Sequence, residues 1–355
     1  MSKRKRALVV GATGLSGSHA ADALKREGWH VTGLSRSGAP SPVEDVRVAV
    51  NLLDKDSVLA TQERLLDIEY VFICTWSMQA TEEENVRVNK SMLENLFIAL
   101  ERAPIRHVAL VTGLKHYLGP FESYGSSKPY SPFLESQPRL TGLNFYYDQE
   151  DVVFEQSKSR GFSWSVHRPH SMIGYALGNA MNMAVTLAVY ASICKETRRP
   201  FVFPGSDAQY NAVTDVTDAR ILAKQLVWAA TTPEAANTAF NIANGDVFRW
   251  YWLWGKIADY FDLEPAEYPG SPTPLEVQMS DAELVWQNIV AKHALVPHQV
   301  KKLASFWHSD ADLGREIECI TDMRNSRMLG FTEYQDTLTS FRDVFDQLRA
   351  DRVIP

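Results

Sequence analysis

Cysteine is scarce in this 355-residue chain: Cys74, Cys194 and Cys319 are far apart, odd in number and form no Cys-x-x-Cys. The nine histidines fall at no ligand spacing either, so neither a disulfide framework nor a metal site is expected. Long apolar runs are also missing. The longest, Met183 to Cys194, contains Thr186 and Ser192 and is too short to span a bilayer, while the strand behind Lys3-Arg4-Lys5-Arg6 is too brief for a secretory segment. Beyond that basic tetrad there is no basic stripe, and a formal charge of −7 argues against nucleic acid as a partner. Repeats and low-complexity tracts are absent. These absences leave a cytoplasmic globular protein with no membrane partner. Its 45% hydrophobic and 11% aromatic content is ample for a packed core.

What is present begins at the N-terminus. Ala7-Leu8-Val9-Val10 reads as a buried strand and runs into Gly11-Ala12-Thr13-Gly14-Leu15-Ser16-Gly17, followed by a helix through Ala20, Ala21 and Leu24. Strand, glycine-rich turn and helix in that order make a dinucleotide site. Gly11 permits the tight turn, Gly14 admits backbone N–H groups close to a pyrophosphate, Gly17 lets the helix pack on the strand, and the helix N-terminus faces the anion. Thr13, Leu15 and Ser16 complete the loop. The Gly-x-x-Gly-x-x-Gly spacing resembles that of short-chain dehydrogenases.

The second strand, Trp29 to Leu34, ends beside the adenosine ribose, where an NAD-selective site places an acidic residue on the 2′-hydroxyl. This chain has Ser35-Arg36-Ser37. A guanidinium pairs with a 2′-phosphate through a charge-assisted fork, so Arg36 points to NADP(H), with Ser35 or Ser37 as hydroxyl helpers. The third strand, Val46 to Val50, delivers Asn51 and Leu52 to the adenine.

Strand-like and helix-like segments continue to alternate through Tyr70–Cys74, a helix from about 84 to 102, His107–Val111, a helix from about 147 to 160, and Ser163–Arg168. This predicts an α/β fold with a Rossmann-type, doubly wound parallel sheet. After Gly174 the expected elements are a long apolar helix, Asn179 to Cys194, a short strand Phe201–Phe203, a helix from Asp218 to Ala230, and a strand Ala239–Ile242 added to the main sheet. The expected division is a cofactor domain over 1–174, with 211–246 returning to it, and a smaller helix-rich C-terminal substrate lobe over 175–210 and 247–355. The aromatic C-terminal helices, with Trp250 and Trp254 one turn apart, suit core packing, and the same surface would serve a homodimer.

A Tyr-x-x-x-Lys pair, the usual dehydrogenase signature, occurs at Tyr124 and Lys128. Gly125, two serines and Pro129 argue against a helix there, and without a helix the i, i+4 spacing loses its meaning. On either side of it stand Thr112-Gly113-Leu114-Lys115-His116-Tyr117-Leu118-Gly119-Pro120, at the tip of the fifth strand, and Asn144-Phe145-Tyr146-Tyr147-Asp148-Gln149-Glu150-Asp151. These segments resemble the motifs of the progesterone 5β-reductase and iridoid synthase family of enone reductases, the atypical extended short-chain dehydrogenases known as PRISE. Similar wording continues in Phe121–Gly125, Trp164–His170, Phe203–Gly205 and Phe240–Phe248, so the resemblance spans nearly the whole chain.

That resemblance implies NADPH-dependent 1,4-reduction of an activated carbon–carbon double bond, with Lys115 and Tyr146 as the catalytic residues and Tyr147 as the less favoured substitute. Glu150 stands where the ordinary dehydrogenase helix carries its lysine, in agreement with the family. Addition of hydride to the β-carbon of an enone pushes charge onto the carbonyl oxygen, so the site needs a donor such as the Tyr146 hydroxyl, strengthened by the positive potential of Lys115. Further cofactor contacts are expected from Thr75 and Trp76 after the fourth strand and from Ser171, Met172 and Ile173 after Pro169. Trp76, Phe121, Met181 and Phe306 are expected to line an apolar cleft for a small hydrophobic enone or enal. Two other readings stay open: a carbonyl reductase or epimerase using Tyr124 and Lys128, and a non-catalytic NADP-binding redox sensor that signals to a protein partner.

Overall fold

Among the described residues the alternation in the sequence resolves into nine strands: β1 (Arg6–Val10), β2 (His30–Ser35), β3 (Val46–Ala49), β4 (Tyr70–Ile73), β5 (His107–Val111), β6 (Ser163–Pro169), β7 (Met172–Ile173), β8 (Thr217–Asp218) and β9 (Thr238–Ile242). The structure is a computed structural model and describes residues 4–36, 38, 41–123 and 129–355. Seven strands form one parallel sheet in the order β3-β2-β1-β4-β5-β6-β9, and β7 pairs with β8 beside it.

Helices cover both faces of the large sheet. Leu15–Arg26 and Ala219–Thr231 pack Ala20, Ala21, Leu24, Ile221 and Leu226 against one face. Glu82–Ala99 and Phe145–Arg160 pack Leu93, Leu96, Val152 and Val153 against the other. That double cover is why β1 reads as an unbroken apolar run rather than an alternating one. The strand order reverses between β1 and β4, which opens a crevice beyond their C-terminal ends, where this architecture holds ligands.

The C-terminal residues build a second core. Helix Met183–Thr197 is buried on every side from Met183 to Cys194, the pattern of a helix at the centre of a domain. Around it pack Trp250, Trp254, Phe341 and Phe345, with Trp254 stacked on Phe201 at 4.2 Å. No helix among the described residues is long and apolar enough to cross a membrane.

Two local expectations change. The apolar helix starts at Met183 rather than Asn179, because Gly178 takes φ +76° and the Asn182 amide turns back to donate to the Gly174 carbonyl. Residues 178–181 thereby fold along the lip of the crevice. The strand expected at Phe201–Phe203 reduces to a single bridge, Phe201 with Pro265, since its rings insert into the aromatic core instead of joining a sheet.

Candidate active site

The turn after β1 is a cradle. Gly11 takes φ +82°, and a Cβ there would stand 2.7 Å from the Cys74 carbonyl oxygen; a Cβ on Gly17 would collide with the Gly11 carbonyl. Both positions therefore require glycine, one for conformation and the other for close helix–strand packing. Gly14 precedes helix Leu15–Arg26 without any side-chain cap, so the first-turn amides stay open toward the crevice. A cavity of about 430 Å³ lies there, lined by Gly11, Thr13, Gly14, Leu15, Ser16, Ser35, Arg36, Asn51, Leu52, Thr75 and Trp76. Open amides, a glycine cradle and an arginine at the mouth fit a phosphate-bearing dinucleotide.

The 2′ end has more structure than the sequence indicates. Arg36 is exposed, whereas Ser35 is buried and accepts a 2.7 Å bond from Arg47, which itself pairs with the buried side chain of Glu44. Arg47 is a second guanidinium behind the serine, and no local motif announces it. Ser37 lies outside the described residues. Gly17 does not line the cavity and acts through packing. Asn51 is exposed at the far end, its Oδ1 accepting the Leu53 N–H.

A second cavity, of about 170 Å³, shares Leu15, Ser16, Trp76, Asn179 and Met181 with the first, so the two form one cleft. Lys115, Tyr146, Phe121, Ser171 and Met172 line it. Lys115 opens the short helix Lys115–Leu118 just past β5, and Tyr146 is the second residue of helix Phe145–Arg160. Asn144 ties these segments together: its Oδ1 caps the Tyr146 N–H at 3.2 Å while its Nδ2 donates to the Lys115 carbonyl at 2.8 Å.

Glu82 makes a second tie, absent from the expectations. Its Oε1 accepts the Phe145 N–H at 2.9 Å, and its Oε2 accepts from Asn85 at 3.0 Å and from the Lys115 ammonium at 3.4 Å. Lys115 is only 4% exposed, its ammonium held over Phe121 at 4.4 Å and Phe145 at 5.1 Å. Trp76 stacks on Phe145 at 5.2 Å and closes this side of the cleft.

The adjacent tyrosines part ways. The Tyr147 hydroxyl is engaged with backbone, donating to the His116 carbonyl at 2.8 Å and accepting the Leu140 N–H at 3.0 Å. Tyr146 is half-buried in the cleft, its hydroxyl 3.6 Å from where a Cβ on Gly113 would stand. Burial, and then the Glu82 carboxylate, push its phenol well above the ordinary tyrosine range. It is thus a proton-bearing hydrogen-bond donor throughout the neutral range. Glu150 turns away to Arg139 at 2.8 Å. Tyr124 and Lys128 lie outside the described residues.

Two expected positions are displaced. Ile173 is fully buried and lines neither cavity, because β7 pairs it with Asp218. Phe306 is likewise not in the lining: it packs against the C-terminal core, and its helix, Phe306–Leu313, presents His308 and Asp312 to the cleft instead. Arg315 follows on the same wall. Trp76, Phe121 and Met181 do line the second cavity, and its wall also carries the polar groups Ser171, His308, Asp312 and Arg315. Burial opposes ionisation of Asp312, but Arg315, His308 and Ser171 outweigh it and hold the carboxyl below the usual range.

The family profile described as a PRISE-like Rossmann-fold domain matches residues 48–355. The (S)-8-oxocitronellyl enol synthase of Camptotheca acuminata is 37% identical, over 98% of this chain and 93% of its own length. The 3-oxo-Δ4,5-steroid 5β-reductase of Arabidopsis thaliana is 35% identical with the same coverage. Among solved structures, UDP-N-acetylglucosamine 4-epimerase from Bacillus cereus superposes with a TM-score of 0.64 over 98% of this chain and 97% of its own, at 14% identity, a likeness of fold alone.

Proposed function

This chain belongs to the PRISE-like Rossmann-fold family, and from that premise we propose that it reduces the carbon–carbon double bond of an enone or enal with NADPH, with Tyr146 and Lys115 stabilising the enolate. The observation that carries this reading is that Tyr146 and Lys115 line one cavity continuous with the dinucleotide cleft, while the Tyr147 hydroxyl is engaged elsewhere. NADPH, when bound, supplies the hydride. On this reading residues 1–174 with 211–246 hold the cofactor, and 175–210 with 247–355 complete the substrate lobe. Arg36, backed by Ser35 and Arg47, would hold the 2′-phosphate; the amides ahead of helix Leu15–Arg26 would hold the pyrophosphate.

The chain's own chemistry is electrostatic. As charge develops on the carbonyl oxygen, the Tyr146 hydroxyl donates to it, and its raised pKa keeps the proton on the phenol in the ground state. Lys115, buried in the wall of the same cavity, adds positive potential in a site where little water screens it. Glu82 and Asn144 position both groups through the backbone and the ammonium. The relatives named for enol synthesis and steroid 5β-reduction support the reaction class. The test is turnover of 2-cyclohexenone with NADPH by wild type, Tyr146→Phe and Lys115→Met. Wild-type turnover lost in both variants supports the assignment, and full activity in either removes that residue from it.

A further inference from the structure

One wall of the substrate cavity is built from buried polar groups that the enone chemistry does not use. Asp312 and Arg315, 6% and 3% exposed, face Ser171 and His308 across the same space. The Ser171 hydroxyl donates to Asp312 Oδ2 at 2.7 Å and accepts from Arg315 Nη2 at 3.2 Å; Asp312 and Arg315 approach to 3.9 Å. His308 Nδ1 and the nearby His170 Nε2 are buried without a hydrogen-bond partner among the described residues. Phe121 links this wall to the catalytic one, its ring under the Lys115 ammonium and edge-on to His308 at 5.6 Å. Burying an ion pair carries a desolvation cost that apolar residues of similar size avoid, so a cavity meant only for hydrocarbon has no use for it.

We infer that Ser171, His308, Asp312 and Arg315 form a subsite for a hydroxyl group, so that the substrate is an enone or enal carrying a second, hydroxyl oxygen. The pattern of partners selects that group. A carboxylate would be repelled by Asp312 and an ammonium by Arg315, whereas a hydroxyl both donates and accepts, as Ser171 already does between them. This rests on the enone reading for the first oxygen, held by Tyr146.

The test is binding to the NADP⁺-loaded protein, which cannot turn over, by calorimetry. The probes are ω-hydroxy-(E)-3-alken-2-ones of seven to ten carbons, each paired with its parent lacking the hydroxyl. At least one length is expected to bind roughly ten- to hundredfold tighter than its parent, the size of a hydrogen bond to charged partners. Asp312→Asn, which keeps volume, and His308→Leu, close to histidine in size, are expected to reduce that preference at least fivefold while leaving the parent's affinity nearly unchanged. Equal binding of every pair, or variants that weaken both members alike, would overturn the subsite. Reduction of the parent compounds by NADPH is scored separately, so the enone reading and the hydroxyl subsite stand or fall on different data.

Discussion

Replacing Glu82 by Gln probes how the proposed catalytic pair, Tyr146 and Lys115, is held. The amide keeps an oxygen for the Phe145 N–H but removes the carboxylate from the Lys115 ammonium, 3.4 Å away, in a site where the two side chains are 10% and 4% exposed. Breaking a buried pair costs about 3–5 kcal/mol. The retained backbone bond and the long N···O separation put this case at the low end, about 3 kcal/mol. Part of that falls on stability and part on catalysis, giving an expected decrease in kcat/KM of roughly ten- to hundredfold. The pH profile separates positioning from folding. The Glu82 carboxylate is, after burial, a cause of the raised Tyr146 pKa, so the alkaline limb of kcat/KM is expected to move to lower pH in Glu82→Gln. Steady-state kinetics from pH 6 to 10 with 2-cyclohexenone and NADPH read this directly, with the exposed Glu83→Gln as control. Wild-type kcat/KM and an unmoved alkaline limb in Glu82→Gln would refute the positioning role.

The two tyrosines are expected to respond differently. Tyr146→Phe loses about 10²–10³ in kcat with little change in Tm, while Tyr147→Phe loses about 1–2 kcal/mol of stability in a denaturant titration, from two backbone hydrogen bonds, and retains most of its kcat. Arg36→Ala is expected to raise the KM for NADPH about tenfold or more and leave that for NADH nearly unchanged, measured on the same enone. Burial holds three histidines neutral in the fold, His107 at about 3 and His116 and His167 at about 4. Their pKa values are lowered, so between about pH 4 and the ordinary 6.5 the unfolded chain binds more protons, and stability falls as pH drops through that window by about 1 kcal/mol per unit for each histidine. Thermal melts from pH 7.5 to 5 check this, and a flat Tm would contradict it.

What was legible in the sequence was what local geometry controls. Gly17 is forced by the Gly11 carbonyl of the same turn and Gly11 by its own positive φ, and the unbroken apolar runs of β1 and β4 follow from cover on both faces. Tyr146 and Tyr147 differ by one residue, about 100° around a helix; the choice between them rests on the phase that the Asn144 cap imposes. The same problem defeats the expectation at Phe306. An eight-residue helix containing Phe306, Trp307 and His308 offers apolar groups on more than one face, and packing against the C-terminal core takes Phe306 away from the cleft. Glu82 meets Lys115 from 33 residues away, Arg47 meets Ser35 across two strands, and Ser171 meets Asp312 from 141 residues away. Such partners are joined by topology, and no spacing in the chain marks them.

The most direct test of the central claim is where the hydride lands. Reduced NADP carrying deuterium at C4 of the nicotinamide is mixed with the protein and 2-cyclohexenone, and the product is analysed by mass spectrometry and NMR. The expected product is cyclohexanone with deuterium at C3, the former β-carbon. 2-Cyclohexenol with deuterium at the carbinol carbon would contradict the assignment and identify carbonyl reduction instead.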